Sequence, residues 1–253
     1  MPEPRDATVL SPSLERRFAS VAVSASPLSI VPGQGLLQRL SPSIERLWLD
    51  PLMLTRMDQQ SLTRSSTSAG VAIVICGQMR REFAARALPI VALGRAYLLD
   101  VEDPEWELRA RSLLSGPSLA DRMRSRMLED LCERLSVLSL PARLWLLQLF
   151  ARPSPQRRAA PPVAVYQRIA RELQQARLAS AGAIVSVLRL PLACEMLVVR
   201  DWTLERLSVE AGITSPKRLR SLLVRHIGWG PRELRRRFDE GYVSERLCEA
   251  LRR

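Results

Sequence analysis

The chain has 253 residues, 47% of them hydrophobic, and a formal net charge of +12 at pH 7. That length and apolar content can bury one large core or two ordinary ones, and so basic a balance favours a polyanionic partner. The four cysteines, Cys76, Cys132, Cys194 and Cys248, are far apart and His226 is the single histidine. Neither a Cys/His zinc site nor a disulfide framework can be assembled from such spacing, so reduced, buried thiols are expected and no metal site.

One lysine stands against 37 arginines, and there is no asparagine. This looks like a GC-rich coding bias that raises Arg everywhere, so local clustering of charge says more than the total. Residues 1–39 are rich in Pro, Ser and small residues and are expected to form a flexible arm. LSPSLER at 10–16 recurs as LSPSIER at 40–46. Two copies are too few for a solenoid, and Ser-Pro-Ser before such a run is a helix start. Arg16-Arg17 followed by FASVAVSA imitates a signal peptide only faintly. No apolar run approaches a membrane span, so a cytoplasmic protein with no membrane partner is expected.

Ile44, Leu47, Trp48, Leu52 and Leu54, broken at Asp50-Pro51, predict one or two short helices over 43–57, and 58–70 reads as a linker. The β-branched run 71–75 predicts a buried strand, 79–87 a helix, 88–93 and 97–101 further strands, and 105–114 a helix. The alternation implies a small parallel α/β unit. In pattern it resembles the receiver domain of response regulators. That resemblance implies an Asp at the end of the central strand to take phosphate. This reading puts Cys76-Gly77 at that place. Asp100 and Asp103 follow a later run with no second acidic cluster to hold a metal ion, so phosphorylation is not expected.

Leu119, Met123, Met127, Leu131, Leu135 and Leu138 are spaced for a helix, and Pro141 starts another through Leu144, Trp145, Leu147 and Leu149. Side chains so spaced make a core or a dimer surface. Residues 151–162 (ARPSPQRRAAPP) are a linker by composition and the expected domain boundary. A basic amphipathic helix over 166–178 and one or two more over 184–199 come next.

The stretch 189–237 carries the most information. Leu204, Leu207, Ser208 and Ala211 form a small or apolar stripe on a short helix that Asp201 or Thr203 can cap. Gly212 stands where a sharp turn needs φ > 0. Ser215-Pro216 restarts a helix, with Ser as N-cap and Pro at the first helical position. Leu219, Leu222, Leu223, His226 and Ile227 share its inner face. Lys217, Ser221 and Arg225 lie opposite, flanked by Arg218 and Arg220. Gly228 closes the helix. Between Ile213 and Arg237 there are eight basic residues and one acid, Glu233.

Arg189, Ala193, Leu197, Gly212, Ser215, Leu219 and the closing Gly228, Pro231, Glu233 and Arg235 make this stretch similar to the C-terminal half of the AraC/XylS-type DNA-binding domain. The spacing matches without insertion. Leu219, Leu223 and Leu234 stand where that family usually has aromatics, and Ser221 where Arg is usual. The resemblance covers roughly a fifth of the chain. It implies a helix-turn-helix whose second helix enters a major groove. The family has two such units in series, and 163–188 shows no Gly turn followed by a cap and helix from which to build the first.

The expected fold is therefore mostly α: a C-terminal helical helix-turn-helix domain with a small N-terminal α/β unit. The expected divisions are an arm at 1–39, an α/β plus helical domain at 40–150 for sensing, docking or dimerisation, a linker at 151–162, and an AraC-like DNA-binding domain at 163–253. Lys217, Arg218, Arg220, Ser221 and Arg225 are the candidate base contacts, with Ser215 at the helix start. Thr203, Arg232, Arg235 and Arg236 are the candidate phosphate contacts. The expected function is a sequence-specific, DNA-binding transcription regulator. The alternative is a helical interaction or adaptor protein whose helix-turn-helix no longer reads DNA. Double-stranded DNA is the expected partner, with a homodimer and a protein or effector at the N-terminal region left open. With no Gly-rich phosphate loop, no G-x-S-x-G and no carboxylate pair beside a base, neither an enzyme nor a cofactor is expected.

Overall fold

The structure is a computed structural model that describes residues 6–21, 28–29, 44–64, 71–151, 162–200 and 202–252. The chain divides into two compact units, Met1–Pro117 and Ser118–Arg253. The division falls at Pro117/Ser118 and not at the expected 151–162. Residues 152–161 of that expected linker lie outside the described residues.

The first unit is built on short runs that are apolar almost throughout, the pattern of parallel strands buried on both faces. β1 (Asp6–Val9), β2 (Leu28–Ser29), β3 (Arg46–Leu49), β4 (Ala72–Gly77) and β5 (Ala96–Asp100) form one parallel sheet in the order β2-β1-β3-β4-β5. Between them run α1 (Pro12–Ala19), α2 (Arg56–Arg64) and α3 (Arg81–Val91), and α4 (Trp106–Ser115) follows β5. Trp48, Val74, Tyr97 and Leu99 share a core with Phe18, Trp106 and Leu113. The Phe18 and Trp48 rings lie 4.6 Å apart. Strand alternation turns Leu47, Leu49, Ile75 and Leu98 to the opposite face, where they are also buried. The Asp6 carboxylate ties β1 to β3: it accepts from Arg46 Nε (2.6 Å) and Trp48 Nε1 (3.0 Å).

Several expectations are corrected here. The supposed arm contributes β1, α1 and β2. Its remaining residues, 1–5, 22–27 and 30–39, lie outside the described residues. The short run Ala7-Thr8-Val9 does not show in composition, yet it pairs with a neighbour on each side. Residues 46–49 are a strand and not a helix; Trp48 and its neighbours supply a buried sheet position on each face. Residues 58–64 belong to α2 and not to a linker, while 65–70 lie outside the described residues. Residues 88–91 end α3 and are not a strand. Phe83, Ala84, Ala87, Leu88 and Val91 are buried at helical spacing, which outweighs the helix-breaking tendency of Pro89. The two heptapeptide copies also diverge: the first supplies the Ser11 start of α1, and the second ends in β3. The middle strand of the sheet is β3, so the residue just after it is Asp50, not Cys76-Gly77.

The second unit is helical throughout: α5 (Leu119–Ser136), α6 (Leu140–Ala151), α7 (Val163–Gln175), α8 (Ala181–Val187), α9 (Leu190–Val199), α10 (Leu204–Glu210), α11 (Pro216–Ile227), α12 (Pro231–Arg237) and α13 (Glu240–Leu251). A capping box of Ser118 and Asp121 starts α5. Glu195 on α9 reaches the same end, accepting from the Ala120 N–H at 2.8 Å. α5 packs against α9 and α13, and Met123, Met127, Leu131 and Leu135 are core residues of this unit. One stretch, Ala181–Val199, is long and apolar enough by length and composition to cross a membrane, with mean hydropathy 1.9. The sequence alone predicts none. Here the stretch breaks at Leu188-Arg189 into α8 and α9 and is half-buried, because it is the apolar centre on which α5, α10 and α12 pack. All four cysteines are buried and none is in a disulfide. Burial raises the thiol pKa of Cys132 and Cys248 to about 11.

A Cβ added at Gly77 would meet the Phe83 ring at 2.6 Å, and Phe83 is fully buried. Gly77→Ala should therefore destabilise the first unit by ~1–3 kcal/mol through overpacking. Urea unfolding followed by Trp fluorescence reads this, and an unchanged midpoint would contradict the packing described.

Candidate nucleic-acid interface

The local chemistry of 202–237 dictates a helix, a tight turn and a second helix. Thr203 caps α10, its Oγ1 accepting from the Arg206 N–H at 3.4 Å. Leu207, Ser208 and Ala211 are buried, and Leu204 is half-buried. The helix ends at Gly212, which takes φ 64°. The Gly212 N–H donates to the Val209 carbonyl (2.9 Å), and the Ile213 N–H donates to the Ser208 carbonyl (2.7 Å). That pair of bonds is the Schellman arrangement, and buried Ile213 supplies its apolar contact. From the start of α9, Arg189 Nη1 donates to the Gly212 carbonyl at 2.5 Å. Burial lowers the pKa of this guanidinium.

Ser215 starts α11, its Oγ accepting from the Arg218 N–H at 3.2 Å, with Pro216 next. Leu219, Leu222, Leu223 and Ile227 are buried, and α10, α13 and α8 pack around this side. Gly228 ends the helix at φ 87°. Beyond it Trp229 stacks on Tyr242 with ring centroids 4.4 Å apart, and the Tyr242 hydroxyl donates to the Ile227 carbonyl at 3.2 Å. Glu233 Oε2 accepts from the Gly230 N–H at 3.2 Å, which starts α12. α12 buries Leu234 and packs on α9.

The outward surface is cationic. Lys217, Arg218, Arg220, Ser221 and Arg225 are all exposed on α11, and Arg232, Arg235 and Arg236 are exposed on α12. Thr203 is exposed at the start of α10. Two predicted residues have structural duties as well. Ser215 is half-buried and spends its hydroxyl on the cap, and Arg235 Nη2 donates to the Trp202 carbonyl at 2.7 Å. His226 is half-buried. Its pKa is lowered by burial and by the charges of Arg225 and Arg218, so the imidazole is neutral at pH 7.

Sequence reasoning missed Val224 and the Trp202 cluster. Val224 is 50% exposed, and helical spacing aligns it with Lys217 and Ser221. The signal was available, since an apolar residue at i+7 from Lys217 falls outside the buried stripe. The Arg206 guanidinium sits 3.7 Å from the Trp202 ring centroid, and that of Arg200 at 5.6 Å, both in cation–π range. Only three-dimensional placement shows that pairing. Upstream, α7, α8 and α9 are joined by residues 176–180 and 188–189. α7 ends in the same kind of turn as α10. Arg177 takes φ 53°, its N–H donates to the Gln174 carbonyl (3.1 Å), and the Leu178 N–H donates to the Leu173 carbonyl (2.8 Å). Ser180 caps α8, its Oγ accepting from the Ala183 N–H at 3.3 Å. α8 has seven residues against twelve in α11 and carries no Lys or Arg, so it has no cationic face.

No protein-family model, curated protein or solved structure matches the chain.

Gly212→Val places a β-branched side chain at positive φ, a strain of ~1–3 kcal/mol. The variant should melt several degrees below the parent when helix content is followed on heating. A parent-like melt would contradict the turn.

Proposed function

We propose that this protein is a sequence-specific, DNA-binding transcription regulator whose α10–α11 pair works as a helix-turn-helix of the AraC/XylS type. The observation that carries the reading is the division of α11: four apolar residues in the core behind it, and Lys217, Arg218, Arg220, Ser221, Val224 and Arg225 exposed in front. The width of a helix matches the major groove, and base edges there are read by such side chains. Lys217 and Arg220 suit guanine O6 and N7, Ser221 suits either donor or acceptor, and Val224 suits the thymine methyl. Thr203, Arg232 and Arg236 lie on the neighbouring helix ends, where phosphate contacts set the register. Arg235 adds charge while bracing Trp202. Ser215 fixes the N-terminus of α11 through its cap. The cytoplasm is the compartment that fits this function.

One reading head of this kind buries little surface, so affinity from a single chain is low, and two copies on two half-sites would supply the rest. The absence of any Lys or Arg on α8 also favours a second reading, an interaction protein that keeps the helices without reading bases.

The two readings separate in a competition series at several salt concentrations. Lys217→Ala should weaken the best site by ~1–3 kcal/mol and relax the preference at one base position. Arg236→Ala should weaken all sequences alike and lower the salt slope by about one. If both variants give only the uniform, salt-linked loss, α11 does not read sequence.

A further inference from the structure

A parallel sheet with helices packed along its strands leaves a crevice at the carboxyl ends of the strands where the chain order reverses. In this sheet the reversal lies between β1 and β3, since β1 leads outward to β2 while β3 leads the other way to β4 and β5. At that edge there is a cavity of about 400 Å³, within the range of small-molecule sites. It is lined by residues at the ends of four strands: Ser11 after β1, Asp50 after β3, Gly77 at the end of β4 and Val101 after β5.

Its polar lining is divided. Asp50, 4% exposed, brings a carboxyl whose Oδ1 accepts from the Leu52 N–H at 3.0 Å. Burial raises the pKa of this group against the pull of the Leu52 N–H, Ser11 and Arg86. Gly77 lies beside it: a Cβ there would stand in van der Waals contact with Asp50 Oδ1, at 3.8 Å. The walls carry two guanidinium groups, Arg17 and Arg80, with one acid, Glu82. Arg17 is steadied over the Trp106 ring at 4.8 Å, and Arg80 is held by the exposed Glu102 at 3.3 Å. A buried acceptor with two cations on the walls complements a molecule with a hydrogen-bond donor and an anionic group.

We propose that this cavity is a binding site for a small organic anion that also carries an amine or hydroxyl: the donor meets Asp50, and the phosphate or carboxylate meets Arg17 and Arg80. The site lies wholly in the first unit and is independent of DNA reading by the second, so either can fail while the other stands. Binding here needs no metal ion and no covalent step.

The test is calorimetric titration of the full chain with four probes: ribose 5-phosphate, L-serine, ribose and inorganic phosphate. The first two carry both functions, from a phosphate and a carboxylate source, and the last two carry one each. The proposal expects ribose 5-phosphate or L-serine to bind at least about tenfold more tightly than either single-function probe, one charge-assisted contact being worth that much. Which of them binds identifies the source of the anion. Arg80→Ala, at an exposed side chain, should weaken that binding about tenfold while leaving the melting temperature unchanged. Asp50→Asn should weaken it too, and Ser13→Trp, at an exposed position of the lining, should block it if Asp50→Asn fails to fold. No heat from either bifunctional probe up to about 10 mM, or equal binding by parent and Arg80→Ala, would overturn the proposal.

Discussion

The hydrogen bond from Arg189 to the Gly212 carbonyl sets which way α11 faces. It joins the first turn of α9 to the one backbone position in the pair that must take positive φ there, and the Schellman bonds of Gly212 and Ile213 lock the exit of α10 beside it. With the turn fixed, Leu219, Leu222, Leu223 and Ile227 have one way into the core. The remaining positions of α11 then face water by helical geometry alone. A guanidinium drawn partly out of water is costly, and Arg189 offsets that cost with a charge-assisted bond to a carbonyl. The exposed cations of α11 need no such compensation, because they stay hydrated and so stay available to a polyanion.

The second unit was legible in the sequence because its signals are local. Ser215-Pro216, Gly212, Gly228 and Thr203 act within four residues of themselves, and all four take the backbone roles expected of them. The methionine and leucine spacing of 119–135 reads as a helix for the same reason, and its burial on α9 and α13 resolves the choice between core and dimer surface. The first unit was less legible. A parallel strand of four residues has no periodicity long enough to separate it from a helix turn. Arg46–Leu49 fell to that ambiguity, while β1, hidden among prolines and serines, sits in a stretch whose composition reads as a flexible arm. The run after Phe83 went wrong in the opposite direction, because Pro89 argues for a break that burial of both flanks overrides.

The candidate surfaces differ in the same way. The exposed cations of α11 and α12 could be found from helical spacing and charge. Val224 could have been found by the same rule, while the Trp202–Arg206 pairing needed coordinates. Asp50 in the first unit could not be placed until strand order put β3 in the middle of the sheet. A residue that reads as part of a helix break in the sequence is, in the fold, the group just beyond the central strand.

Selection of bound fragments from randomised double-stranded DNA, with the full chain at moderate salt, tests the central claim most directly. If α11 reads a major groove, successive rounds should enrich one short motif, in single or paired copies. If the recovered pool keeps the composition of the input while binding falls steeply with salt, the basic face grips phosphates without reading sequence, and the claim is wrong.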